Sequence, residues 1–266
     1  MEGSRTPVVF VHGLWLHADS WGPWVDAFSQ AGYSTSAPGW PGDAATVAET
    51  RADPERVAGY GIAEVVAHYA HEIGKLDRKP IVVGHSFGGL IAQRLLSGGF
   101  VSAAVAIDPA PAKGVLFLPA SALRVASIAL RNPANRNRAI ALTKEQFRYG
   151  FGNALSQDES DELWEQWAIP SPGKPLFEAA LANLEPHSPA AVDRKSATRG
   201  PLLITAGGKD HTVPATVSRQ TQKLYRNSSA VTDLRTFADR GHSLTIDSGW
   251  REVADSVLGW LSEHDL

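Results

Sequence analysis

The stretch Ile81-Val82-Val83-Gly84-His85-Ser86-Phe87-Gly88-Gly89, followed by Leu90-Ile91-Ala92-Gln93-Arg94-Leu95-Leu96, decides the fold. A β-branched run, a hydroxyl residue flanked by glycines, and then apolar residues at helical spacing read as strand, sharp turn and helix, with Ser86 at the apex. Such a turn forces unusual backbone angles on Ser86. Residues 84 and 88 must be small, because a Cβ at either would meet the strand or the helix. The helix start also leaves free N–H groups, and that of Phe87 would face an oxyanion forming beside the hydroxyl. A Gly-x-Ser-x-Gly pattern arises in flexible loops too; what separates this one is its place between a strand run and a helix run.

Before this turn, Val8-Val9-Phe10-Val11 reads as a buried strand ending in His12-Gly13-Leu14-Trp15, with Trp21, Trp24, Val25 and Phe28 on one face of the following helix, up to Gly32. A loop there can place a second oxyanion donor, the N–H of Leu14, while His12 reads as a residue that pins the loop by side-chain hydrogen bonds. Tyr33 to Ala37 reads as a short strand closed by the turn Pro38-Gly39-Trp40-Pro41-Gly42-Asp43. An amphipathic helix runs from Gly61 to Leu76, and its His68 and His71 lie on the solvated face without a third convergent ligand, so no metal site is expected.

Beyond the turn, Val101 to Ile107 forms the next strand, ending at Asp108-Pro109. Residues 112–195 then show no convincing buried strand, only proline-punctuated helical segments. An insertion of that length predicts a helical cap over an active site, and its Phe147, Phe151, Trp164 and Trp167, with Trp15, are the aromatic side chains expected to line a substrate pocket. Strand and helix alternation returns with Leu202 to Ala206 before Gly207-Gly208-Lys209-Asp210, and with Val231 to Phe237 before Gly241-His242-Ser243. The expected architecture is α/β: a mostly parallel six-stranded sheet flanked by helices, built from residues 1–111 and 196–266, with the cap inserted at 112–195.

Composition narrows the function. With 43% hydrophobic and 20% charged residues, the chain is an ordinary globule. A net charge of −3, without a cluster of Lys and Arg among aromatics, argues against nucleic acid as a partner. The absence of cysteine excludes disulfides, thiolate catalysis and thiolate metal sites. Glu2 stands where a signal peptide needs a basic region, and the apolar stretch from Val115 to Leu130, broken by Pro119 and Arg124, is too short to span a bilayer. A cytoplasmic protein acting on a small molecule, with no membrane partner and no cofactor, is the expectation.

Ser86, Asp210 and His242 all stand in loops after strands, which in a parallel sheet gather along one edge. A hydroxyl attacks a carbonyl only when an imidazole takes its proton, and the imidazole needs a carboxylate to hold its tautomer and stabilise its charged form. Asp108 also follows a strand and is a second candidate for the acid, although it could simply cap the strand.

On these residues the chain resembles the α/β-hydrolase superfamily over essentially its whole length apart from the cap. The matching segments are His12-Gly13-Leu14-Trp15, Gly84-His85-Ser86-Phe87-Gly88, Gly207 to Pro214 and Gly241-His242, in the chain order Ser, Asp, His. The resemblance implies Ser86 as nucleophile, Asp210 as acid, His242 as base, and the N–H groups of Leu14 and Phe87 as an oxyanion hole. Only seven residues precede the first strand run, so the superfamily's usual leading hairpin is expected to be missing. Gly39 stands where many relatives have an acid. The resemblance implies a serine hydrolase that cleaves a neutral, hydrophobic carboxylic ester or lactone through an acyl-enzyme. It leaves open a carbon–carbon bond hydrolase, a cofactor-free perhydrolase, a ligand-binding receptor with vestigial hydrolysis, and a hydroxynitrile lyase, the last disfavoured by Ser243-Leu244 where a lysine would be expected.

Overall fold

Apolar runs buried on both faces make the four central strands of a parallel sheet, and a polar, partly exposed strand lies at each edge. The computed structural model describes residues 6–266; the reading of the first five residues as no part of a signal peptide lies outside them. The strands are β1 (Pro7–Val11), β2 (Ser34–Ser36), β3 (Ile81–His85), β4 (Ala103–Ile107), β7 (Leu202–Gly207) and β8 (Thr232–Phe237). Their order is β2-β1-β3-β4-β7-β8, and every neighbouring pair is parallel. Three of the expected runs are trimmed in the fold: Tyr33 to Ala37 keeps three residues at the sheet edge, the run from Val101 starts at Ala103 and that from Val231 starts at Thr232, while β1, β3 and β7 each extend slightly beyond theirs.

Side chains alternate across the sheet, so each strand feeds two cores. Val8, Phe10, Ile81, Val83, Val105 and Leu203 face one layer, which holds α1 (Gly22–Gln30) and α10 (Trp250–Glu263) through Trp24, Phe28, Val257 and Trp260. Val9, Val11, Val82, Ala104 and Ile204 face the other, where α3 (Ile62–Ile73) and α4 (Phe87–Ser97) pack with Val65, Tyr69, Leu90 and Leu95. The remaining core helices are α2 (Val47–Ala52) and α9 (Ala215–Leu224).

Between β4 and β7 the chain leaves the sheet for α5 (Ala120–Leu130), α6 (Lys144–Gly150), α7 (Gln157–Trp167) and α8 (Lys174–Leu181). Two short strands, β5 (Ala139–Ile140) and β6 (Ser171–Pro172), pair antiparallel inside it. They are too short to leave a periodic trace in the sequence. Side chains tie this insertion to the core. Arg51 of α2 donates to the carbonyls of Trp164, Glu165 and Ala168 at the end of α7. Glu178 of α8 accepts the N–H of Ile62 at 2.7 Å, filling a vacant donor at the start of α3.

Candidate active site

Three close approaches build the turn at Ser86. A Cβ on Gly84 would sit 2.0 Å from the Gly88 carbonyl oxygen, and one on Gly88 would sit 2.0 Å from that of Val11, so strand, helix and β1 meet with no room for a side chain. Ser86 itself takes φ 55° and ψ −119°. Its strained backbone is held by its N–H donating to Ile107 O at 2.9 Å and its carbonyl accepting from Gly89 and Ala110, both at 2.9 Å. A Cβ on Gly13 would lie 2.7 Å from Ser86 Cβ, so the loop after β1 passes directly against the serine. Neither the N–H of Leu14 nor that of Phe87 donates to an acceptor among the described residues. His12 pins that loop, as expected: Nδ1 contacts Gly13 O at 2.9 Å and Nε2 contacts Asp43 Oδ2 at 2.9 Å. Asp43 also takes the Trp40 N–H, and its side chain lies where a Cβ on Gly39 would touch it, so Asp43 supplies the carboxylate of this turn.

The ends of β4, β7 and β8 bring Asp108, Asp210 and His242 together. All three are buried, with one donor atom from each lying within 4.8 Å of the other two. His242 Nδ1 meets Asp210 Oδ2 at 2.6 Å, and Asp210 Oδ1 accepts the N–H groups of Thr212 and Val213, both at 2.7 Å. Asp108 accepts from Thr205 Oγ1 at 2.9 Å and from Gly207 N at 2.8 Å, with φ 43°. All four carboxylate oxygens therefore accept hydrogen bonds, and the cluster is a hydrogen-bonded set rather than a set of free metal donors.

Burial sets the charges. It pushes the Asp108 carboxyl well above the usual carboxylate range, with the Asp210 charge adding to the effect. Burial also carries Asp210 up to about 7, against hydrogen bonds from Asp108, Val213 and Thr212 that favour its anion. His242 is pushed down to about 4 by burial, so its imidazole is uncharged at neutral pH, the form that accepts a proton. Its Nε2 is buried without a hydrogen-bond partner, and none joins it to Ser86. The rings of Phe151 and His85 pack against it with centroids 4.8 and 4.6 Å away.

The sequence of residues 8–256 matches the alpha/beta hydrolase family. The chain belongs to that family. No curated relative matches it. Among solved structures it is similar to a monoacylglycerol lipase from Paleococcus ferrophilus, with 22% identity over 98% of this chain and 95% of that one and a TM-score of 0.67. It is also similar to a methylesterase from Arabidopsis, at 17% identity over 97% and 99% with a TM-score of 0.67. An extracellular alpha/beta-hydrolase from a Paenibacillus species matches at 18% identity over 96% and 98% with a TM-score of 0.68. At these identities the shared feature is the fold.

In this alpha/beta hydrolase, Ser86 opens into a cavity of about 200 Å³. Its wall is mostly aliphatic, with Ala110 and Val213 from the core, Ala122, Ala126 and Leu130 from α5 and Leu176 from α8, and Phe87 beside Ser86. Of the five aromatic residues expected to line it, only Trp15 does so. Phe147 and Phe151 are fully buried and stacked on each other at 4.8 Å, with Phe151 facing His242. Trp164 donates to Leu142 O, and Trp167 packs partly buried on the core. Trp15 is also the joint between loop and insertion: its N–H donates to Ser171 Oγ at 2.6 Å and its indole N–H to Ile140 O at 3.0 Å. The alanine positions 122 and 126, continued by Leu130 at helical spacing, were the available sequence signal for the wall.

Proposed function

We propose that this chain is a serine hydrolase of neutral, hydrophobic carboxylic esters or lactones that works through an acyl-enzyme on Ser86. The observation that supports the reading is the buried, unpartnered Nε2 of His242, whose Nδ1 is bound to Asp210, in a chain that also carries a serine on a strained turn opening into an apolar cavity. In this mechanism Ser86 Oγ attacks the substrate carbonyl while His242 Nε2 takes the hydroxyl proton. Asp210 holds the Nδ1–H tautomer and stabilises the imidazolium. The carbonyl oxygen becomes an anion facing the unoccupied N–H groups of Phe87 and Leu14. His242 then protonates the departing alcohol, and water, activated by the same nitrogen, releases the acid. Substrate contact draws the serine hydroxyl and imidazole together, since such bonds are commonly long in the empty site.

The insertion is read as the cap of this pocket, and the cavity favours uncharged substrates because no lysine, arginine, aspartate or glutamate lines it. A cytoplasmic setting and a small-molecule partner complete the reading. The test is turnover of p-nitrophenyl butyrate together with covalent labelling by an alkyl phosphonate. Ser86→Ala should lower kcat by about 10⁶-fold and abolish labelling with the melting temperature retained; wild-type labelling in the variant would sink the reading.

A further inference from the structure

The loop between β4 and α5 and the first turn of α5 carry side chains that a water-soluble surface usually hides. Leu116 is 81% exposed, Phe117 62%, Leu123 53% and, on the turn after α8, Leu184 79%. Asn183 draws them together. Its Oδ1 accepts the Gly114 N–H and its Nδ2 donates to Val115 O, both at 2.7 Å, which lays the turn holding Leu184 along this loop. Leu118 and Leu123 continue from it into the wall of the Ser86 cavity. Contiguous exposed apolar side chains of this kind mark a contact surface.

The loop's backbone is prepared for an apolar medium. Gln220 of α9 accepts the N–H groups of both Leu116 and Phe117 on Oε1 and donates Nε2–H to Phe117 O at 2.8 Å. Three of the four backbone polar groups of Leu116 and Phe117 are thus satisfied by one side chain while their own side chains are exposed, which lowers the cost of placing the loop in an apolar medium. On the other side of Leu116 lies a groove of about 500 Å³ lined by Arg194, Lys195, Lys223 and Arg226 and by no acid. None of these four cations forms a salt bridge among the described residues, in a chain whose net charge is −3.

We propose that this face docks on an anionic lipid surface, the Leu116–Phe117 loop entering the acyl boundary and the four cations meeting lipid phosphates, with the mouth of the Ser86 cavity turned toward the lipid. Charge and apolarity select the occupant together. A dissolved phosphate would engage the cations and leave the loop in water, and an apolar protein surface would leave the cations without partners. An anionic lipid interface satisfies both. The contact is peripheral, since no described helix is long and apolar enough to cross a membrane.

The experiment is co-sedimentation of the full chain with vesicles of phosphatidylcholine containing phosphatidylglycerol, beside phosphatidylcholine alone, inorganic phosphate as competitor, and sedimentation velocity without lipid. Binding is expected to the mixed vesicles only and to weaken with salt. Lys195→Gln with Lys223→Gln should lower the partition coefficient about 25-fold, about fivefold per charge. Leu116→Ser with Phe117→Ser should lower it at least as much, with turnover of dissolved p-nitrophenyl acetate unchanged in both pairs. Equal binding to both vesicles, competition by phosphate without any effect of the Leu116 and Phe117 pair, or a dimer broken by that pair would each overturn the proposal. Because vesicle binding is read without catalysis, it stands or falls separately from the assignment of Ser86.

Discussion

At the carboxyl edge of the sheet, position is imposed by backbone: Gly84 and Gly88 bring chain segments into contact at distances no side chain allows, and Asp108, Asp210 and Ser86 hang from strand ends in fixed register. In the insertion, position is imposed by side chains reaching for backbone, as Arg51, Glu178, Asn183 and Gln220 do. The two constructions have different tolerances. A group held by backbone contact cannot shift without unfolding its neighbours, which suits chemistry that fails when atoms move by an ångström. A segment held by side-chain hydrogen bonds can change its lining residue by residue, which suits selectivity.

The sharpest probe of that contrast is Asp210→Asn. It should lower kcat by about 10⁴-fold, while Asp108→Asn should cost less than about tenfold, because an amide at 108 can still accept from Gly207 and donate toward Thr205 and Asp210. A larger loss at 108 would transfer the acid's role to β4. Next in size is stability. Gly88→Ala should cost more than about 4 kcal/mol in denaturant titration, since Val11 O cannot retreat. Gly259→Ala, on exposed helix surface with nothing within 4 Å, should instead gain about 0.5–1 kcal/mol.

A third probe uses pH. Burial raises the Asp108 carboxyl above its unfolded value, so the folded chain holds a proton that the unfolded chain releases as pH climbs past about 4. Folding with this group is therefore favoured in acid and loses ground as pH rises toward the folded pKa. Asp108→Asn removes that loss, and its stability advantage should widen by up to about 1.4 kcal/mol per pH unit from pH 4.5 toward neutrality. Equal differences at both ends would mean that the carboxyl is ionised in the fold.

The smallest effect belongs to the insertion. Each substrate methylene should raise kcat/KM by up to about fourfold while the cavity has room. Ala126→Phe, which fills part of it, should reduce the preference for p-nitrophenyl hexanoate over acetate by about tenfold, with acetate itself changing less than about twofold. An unchanged ratio would place the acyl chain elsewhere.

The same division governs what the sequence shows. The turn at Ser86, its flanking strand and helix, and the loops holding Asp210 and His242 are legible because backbone constraints leave local marks: obligatory glycines, β-branched runs and chain order. Asp108 is legible only as a candidate, for its proximity to Asp210 depends on β4 and β7 being neighbours. The insertion misleads, because aromatic content is the same whether rings line a cavity or fill a core. Phe147 and Phe151 do the latter, bracing His242, while alanines with little sequence signal shape the space.

The length of the insertion also bears on how the chain assembles itself. Ile81 pairs with Ala103 across a short excursion, but Ala104 meets Leu202 only after the whole insertion has been traversed, more than four times the separation. Closing that larger loop costs about 1.3 kcal/mol more in chain entropy, and contacts between distant residues form slowly. The half-sheet bearing Ser86 can therefore form before the half bearing Asp210 and His242 docks onto it, so a newly made chain has its hydroxyl turn in place while still chemically silent.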